Sequence, residues 1–260
     1  MKLSVIIPFY NDGTQDGTHR QRLLDYLLPR WRRLVEGGVV HEVIVAADPL
    51  AGTIDFDQLT ERHLFDKGAH EPRMPWSTAR AIRAGMDKVT GDAVTCYGAD
   101  HFPDGRVLAD AVGLMRAGFE WTFLYQRVAY ASEASTLQLL HNPARYALTD
   151  LEWAHTVHRC VGMWMWTRKA WEATGGVDPR FIGWGYGDDA WNVALESVFG
   201  PPPPTPGGTL HELWHPAGYR DASAANPNYH LFMTEYRDHA GDAAYFRDLP
   251  RKWGVSVPLT

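Results

Sequence analysis

The chain has 260 residues, 45% of them apolar and 22% charged, which excludes wholesale disorder and leaves room for one large domain or two small ones with a core of ordinary size. Its 31 acidic side chains outnumber 25 Lys and Arg for a formal charge of -6, and this argues against a protein that holds polyanions by bulk electrostatics. Two cysteines, Cys96 and Cys160, cannot build a disulfide framework and sit among apolar residues, so a reducing compartment is expected.

Met1-Lys2-Leu3 runs straight into Ser4-Val5-Ile6-Ile7-Pro8, an apolar run too short for the core of a signal peptide. No uncharged apolar stretch reaches the roughly 18 residues of a membrane helix, so the expectation is a cytoplasmic protein with no membrane span. Leu3–Pro8 reads as a buried strand, followed by a turn at Asn11-Asp12-Gly13. Leu23, Leu24, Leu27, Leu28, Trp31 and Leu34 have helical spacing over 20–35, with a kink or break expected at Pro29 and a stop at Gly37-Gly38. Residues 39–46 form a second strand, closed by Asp48-Pro49. Ser77 is the expected N-cap of a helix reaching Val89, Thr90-Gly91-Asp92 a turn, 93–97 a third strand ending at Gly98-Ala99-Asp100, and 104–117 a further helix.

This alternation predicts an α/β fold with a mostly parallel sheet and helices on both faces. Ligands of such sheets bind outside the carboxyl ends of the strands, which singles out Phe9 to Asp12, Asp48 and Gly98 to His101. In the second half, strands are expected over 121–129 and 160–167, short helices over 170–174 and 190–198, a stiff Pro-rich loop over 201–208 and a helix over 229–246. Eight of the eleven tryptophans lie between Trp121 and Trp214; aromatic faces suit stacking on a sugar or base, although most tryptophans are core. The segment 128–157 matches no motif, and its His141, Tyr146, Trp153 and His155 could line an acceptor groove or cover the sheet.

Three clusters could carry chemistry. Asp100, at a strand's carboxyl end, is either a turn residue or a ligand for a divalent cation bridging to a diphosphate. Gly175 to Asp189 holds five glycines followed by two adjacent carboxylates. Glycines let backbone approach a ligand, and a carboxylate at a helix start stays ionised, as a general base must; the bland reading is a flexible loop with capping carboxylates. Asp188 and Asp189 diverge, so only one should face a substrate. His211-Glu212-Leu213-Trp214-His215 matches the zinc-peptidase pattern H-E-x-x-H, which works only on a helix. Pro201–Gly208 before it and Pro216 after it leave little room for one, and as a strand His211, Leu213 and His215 would share a face.

Taken in order, these segments resemble the nucleotide-sugar glycosyltransferases of the GT-A fold. Ser4-Val5-Ile6-Ile7-Pro8-Phe9-Tyr10-Asn11 is similar to their opening strand, and Ala79 to Gly85 with Thr90-Gly91-Asp92 to the helix and turn before their D-x-D motif, held here by Gly98-Ala99-Asp100. Gly175 to Asp189 resembles the G-G-x-D-x-x-F-x-G-W-G-x-E-D segment of the β-1,4-galactosyltransferases and chondroitin-polymerising enzymes. His215-Pro216 through Asn226-Pro227-Asn228 resembles the galactosyltransferase ending.

The resemblance implies one continuous GT-A domain, with residues 1–118 as the nucleotide-sugar half and 119–260 as the acceptor and catalytic half. It implies a metal-dependent inverting hexosyl- or pentosyltransferase, using Mn²⁺ or Mg²⁺ and a donor that is a uridine diphosphate sugar by default. The acceptor hydroxyl would belong to a glycan, a protein, a small molecule or a modified base. Pro8, Phe9, Tyr10, Asp48, Arg80, Ala99, Asp100, Trp184 and Gly185 would bind the donor. Trp184, Asp188 and Asp189 would make up the acceptor-binding set, with Asp188 as the base. Asp100 and His215 would hold the metal, with His211 or Glu212 adding a third ligand. Two departures bear on this. Gly98 stands where D-x-D has its first Asp, and Gly187 stands where the other motif has Glu. They leave open a degenerate protein that binds a nucleotide sugar or glycan without turnover.

Overall fold

The computed structural model describes residues 1–10, 15–47, 61–64, 76–158, 162–216 and 223–253. Asp48 and Cys160, and the turns expected at Asn11-Asp12-Gly13 and Asp48-Pro49, lie outside the described residues. The central sheet has six strands in the order β3-β2-β1-β4-β8-β5, namely Glu61–Leu64, Glu42–Ala47, Leu3–Phe9, Ala93–Cys96, Trp164–Thr167 and Trp121–Phe123. β1 pairs in parallel with β2 and β4, and β2 with β3, while β8 runs antiparallel to β4 and β5. The sheet is thus mostly parallel, and both faces are covered.

The covering follows from strand alternation. Val5, Ile7 and Phe9 of β1 enter one core with helix α1 (Gln15–Glu36) and helix α3 (Gly105–Arg116). Ile6 enters the other core with α2 (Thr78–Met86), α5 (Arg168–Thr174) and α6 (Gly187–Phe199). Pro29 lies inside α1 without ending it. A proline removes one backbone donor, and the buried row Leu24, Leu27, Leu28 and Trp31 holds the helix through that point. Trp121, Trp164, Trp166 and Trp191 fill the second core, so most of the tryptophan-rich half is packing.

The single strand expected over 121–129 is two strands. Leu124 is the junction: its N–H bonds Met163 O and its C=O accepts from Gly207 N, each at 2.9 Å. The chain therefore leaves the central sheet and enters a second one, β7-β6-β9, made of Trp153–Val157, Tyr125–Ala131 and Gly207–Glu212. The Pro-rich loop ends in β9, which pairs in parallel with β6. Helix α4 (Glu133–His141) fills part of the unmatched segment. The helix expected over 229–246 is α7 (Pro227–Glu235), a 3₁₀ turn and α8 (Ala243–Asp248), because Gly241 turns left-handed and Asp242 caps a new helix. Among the described residues, no helix is long and apolar enough to cross a membrane.

Candidate functional site

β4 leads directly into Asp100, which is buried. The loop after β4 is zipped to the end of β9: Phe102 N donates to His211 O and Leu213 N to Asp100 O, both at 2.9 Å. The segment beyond β9 is pinned from two helices, with Trp214 N donating to Thr136 Oγ1 of α4 at 3.0 Å and Trp214 O lying 2.9 Å from His19 Nε2 of α1. These contacts bring Asp100, Glu212 and His215 together, with one ligand atom from each within 4.8 Å of the others. His215 Nε2 is 3.4 Å from Asp100 Oδ2 and 3.5 Å from Glu212 Oε1. Pro216 O sits 2.7 Å from His215 Nδ1 and accepts from it in the neutral tautomer that carries its proton on Nδ1. The Nε2 lone pair then faces the carboxylates, the arrangement a metal ligand needs.

Two further side chains complete the cluster. His101 Nδ1 accepts from Gly98 N at 3.0 Å, which directs Nε2 to Glu212 Oε2 at 3.2 Å and Asp100 Oδ1 at 3.4 Å. Arg20 reaches in from α1, 3.4 Å from Asp100 Oδ2 and 2.9 Å from His215 Nδ1. Burial opposes charge on His101 and His215, but the two carboxylates outweigh it and raise both imidazoles. Burial likewise opposes ionisation of Glu212, yet hydrogen bonds and charge from the two histidines lower its carboxyl. Gly98 has a geometric role: a Cβ there would run into Asp100 Oδ1 and come within 3.0 Å of the His101 ring.

His211 does not join this group. Adjacent strand residues point to opposite sides, so with Glu212 facing the cluster His211 faces away. Its ring lies 4.7 Å from that of Trp153 and lines a cavity of about 440 Å³ with Arg30, Arg33 and Phe102. Burial lowers its pKa. Extended geometry ends at Glu212, so His211, Leu213 and His215 do not share a face, and of the two candidates for third ligand it is Glu212 that joins Asp100 and His215. Residues 211–216 contain no helix, which removes the basis of the zinc-peptidase reading.

The glycine-rich loop is built with equal care. Gly183, Gly185 and Tyr186 are left-handed, Tyr186 with φ 63°, a conformation that a non-glycine residue adopts only where its surroundings enforce it. Enforcement comes from two sides. Ser77 Oγ donates to Phe181 O, and Gly183 N to Trp76 O, each at 2.9 Å. On the other side Asn228 accepts from Ile182 N and donates to the carbonyls of Ile182, Trp184 and Gly185, and Asn226 donates to Trp184 O. Trp184 is left 46% exposed on the wall of a 380 Å³ cavity that also includes Thr78, Phe181, Asp188 and Asp189.

α6 begins at Gly187, three residues before the expected start, so Asp188 and Asp189 lie in its first turn. Crowding by protein raises the Asp188 carboxyl to about 6, with the charge of Asp189 adding to it. The residue nevertheless keeps more than a third of its surface open, so solvent tempers the shift. Its Oδ2 would lie 2.5 Å from a Cβ on Gly162; glycine at 162 makes its place. Burial, with the Asp188 charge adding, raises the thiol of Cys96, the last residue of β4. Asp188 thus stands by the strand end that leads into Asp100. The two groups line separate cavities: Glu212 and His215 border one of 400 Å³ with Tyr130, His155 and Trp214.

The remaining expected donor contacts divide. Phe9 is buried in the α1 core, because β1 alternation turns it inward, and it is not available to a ligand. Pro8 and Tyr10 are half-buried, and the Tyr10 ring lies 5.2 Å from Trp76, a pairing without local signal in the sequence. Arg80 Nε donates to Pro179 O at 3.2 Å, and Ala99 is buried beside Asp100. Arg20, Gly162 and Thr136 escaped sequence reasoning, whereas His101 belongs to the strand-end segment singled out with Asp100.

No protein-family model matches the chain, and no curated protein does. Among solved structures, glucosyl-3-phosphoglycerate synthase from Mycobacterium tuberculosis in complex with Mn²⁺, uridine diphosphate and phosphoglyceric acid is similar at 17% identity and a TM-score of 0.46, over 85% of this chain and 72% of that one. The same enzyme with Mn²⁺, UDP-glucose and phosphoglyceric acid aligns at 15% identity and a TM-score of 0.48, over 89% and 77%. Its complex with Mg²⁺ and uridine diphosphate aligns at 15% and 0.46, over 89% and 76%.

Proposed function

We propose that this chain is a metal-dependent inverting glycosyltransferase of the GT-A type, moving a sugar from a nucleoside diphosphate, uridine by default, to a hydroxyl acceptor. The observation that carries the reading is the convergence of Asp100, Glu212 and His215 beyond the carboxyl end of β4, where parallel sheets bind ligands. Two carboxylates and an imidazole suit Mn²⁺ better than Mg²⁺, which prefers oxygen ligands throughout. The bound ion would neutralise the diphosphate and favour its departure.

The protein's own groups do the rest. Asp100 and Glu212 supply charge, and Pro216 O orients His215 so that Nε2 is the ligand atom. His101 holds the Glu212 carboxylate in place. Trp184 offers an exposed aromatic face for the sugar, and Asp188 accepts the acceptor's proton as the oxygen attacks the anomeric carbon opposite the leaving diphosphate. The test is a panel of nucleotide sugars screened by thermal shift with and without Mn²⁺, followed by transfer assays and NMR of the anomeric product. Mn²⁺-dependent stabilisation by one donor and inverted product support the reading. Absence of any Mn²⁺-dependent donor binding refutes it, and a retained configuration refutes Asp188 as the base.

A further inference from the structure

The cavity that His211 lines takes no part in the chemistry above. Its volume of about 440 Å³ falls within the roughly 300–1,000 Å³ of small-molecule sites, and its walls are unlike the chain as a whole. The chain carries a formal charge of -6, yet this lining holds two guanidinium groups, Arg30 and Arg33, against one carboxylate, Asp104. Asp104 Oδ1 is engaged in capping α3, accepting from Arg106 N at 2.9 Å and Val107 N at 3.2 Å. Arg30 and Arg33 lie three residues apart on α1 and so share a face. Arg30 is held in position: it donates to Tyr26 O at 3.0 Å and to Tyr26 Oη at 2.5 Å, with its guanidinium 4.2 Å from the centre of the Tyr26 ring and 5.3 Å from that of Phe102. Those bonds use two of the five N–H donors a guanidinium carries. Arg33 is exposed, and the acid that follows it on α1, Glu36, pairs with Arg32 at 2.9 Å. A third guanidinium, that of Arg127 in β6, donates at 2.9 Å to Thr209 Oγ1 on the cavity wall.

We propose that this cavity binds a phosphate monoester with an apolar organic part, at a site separate from the metal cluster. The phosphoryl oxygens meet Arg33 and the unused donors of Arg30, since a fork of two N–H groups matches a pair of phosphate oxygens. The two rings fix the Arg30 fork before a ligand arrives, so little side-chain freedom is left to lose on binding. His211 lines the same wall, and no described residue hydrogen-bonds its ring nitrogens, which leaves an imidazole N–H for a further oxygen. Two guanidinium groups match the charge of a phosphate monoester, about -1.5 to -2, better than that of a single carboxylate. Leu34, Phe102, Tyr125 and Leu148 form the rest of the lining, with the Tyr125 hydroxyl committed to Tyr97 Oη at 2.8 Å. Such walls suit an apolar body and offer nothing to a free inorganic ion. The bland alternative is that the arginines are only a solvated face of α1. Anion binding would then be weak and indifferent to the organic part. The inference does not rest on the glycosyltransferase reading.

Calorimetric titration at pH 8 with EDTA, which keeps divalent cations from the Asp100 cluster, separates the two. The probes are phenyl phosphate, inorganic phosphate and phenol; the proteins are wild type, Arg33→Glu, Arg33→Lys and Asp100→Asn, with melting curves to verify folding. Wild type is expected to bind phenyl phosphate at least about tenfold more tightly than inorganic phosphate or phenol. Arg33→Glu should weaken phenyl phosphate at least about tenfold, in line with loss of a charge-assisted contact, Arg33→Lys by less, and Asp100→Asn not at all. Unchanged affinity in Arg33→Glu, or loss of binding in Asp100→Asn, places the ligand elsewhere and overturns the assignment. No saturable binding of phenyl phosphate by wild type, or equal binding of inorganic phosphate or phenol, overturns it as well. Mn²⁺ and nucleotide sugars are absent from every arm, so failure here leaves the glycosyltransferase reading to its own test.

Discussion

A carboxylate can accept a proton from an alcohol only while ionised, and the walls around Asp188 hold its pKa up at about 6. The rate of transfer should therefore fall about tenfold per pH unit below 6 and level off above it, readable from kcat/KM against pH. The same shift is a statement about stability. A carboxyl raised on folding binds its proton more tightly in the folded state, so its stabilising contribution is complete below the unfolded value near 3.8 and is lost as pH rises through 6. Asp188→Asn should thus raise the melting temperature at pH 7–8, by no more than about 1 kcal/mol equivalent because solvent screens the exposed side, while transfer drops at least about a hundredfold. A mutant that loses stability at pH 8 would contradict this. Gly98 makes the second prediction at this scale. Because a Cβ there meets Asp100 and His101, Gly98→Ala should weaken Mn²⁺ binding by about 10- to 100-fold, the usual effect of disturbing groups that orient metal ligands, measured by titration calorimetry.

Elements meet at the glycine-rich loop, and Asn228 is where its conformation is held. This buried amide bonds backbone on both sides of Gly183-Trp184, replacing the regular ladder that a loop lacks. Asn228→Ala leaves buried carbonyls without donors, at a cost of about 2–3 kcal/mol, so unfolding should move to lower denaturant by that amount. The loop carries Trp184 and leads into Asp188, whereas the metal cluster is held by β9, α1 and α4. Transfer should fall in this variant with Mn²⁺ affinity unchanged; equal loss of both would mean that the loop and the cluster are not independently supported. The loop's ingredients were legible in the sequence as glycines before two acids. What holds them was not, because Asn228 lies 46 residues from Ile182 and only the docking of α7 joins them.

At the scale of the whole molecule, the cluster links the end of β4 to a segment more than a hundred residues later. A cation bound there ties the central sheet to the second sheet, and by mass action it stabilises the folded chain. At a concentration about a hundred times its Kd the gain is about 2.7 kcal/mol, which for a chain of this size is a rise of roughly 5–10 °C. Chelation should reverse the rise, and Asp100→Asn should abolish it. A melting temperature indifferent to Mn²⁺ would exclude a structural link of this kind.

The sequence by itself determined the parallel half, the strand-end position of Asp100 and the acidic start of α6, because hydrophobic period, cap residues and turn chemistry act over a few neighbours. Tertiary structure alone decided that Glu212 and not His211 meets Asp100, that Phe9 turns into the core, that the chain changes sheets at Leu124, and that Arg20 enters the site. Each of these depends on the register between distant segments. A one-residue difference in where β9 ends exchanges one face for the other, and no local pattern specifies that choice.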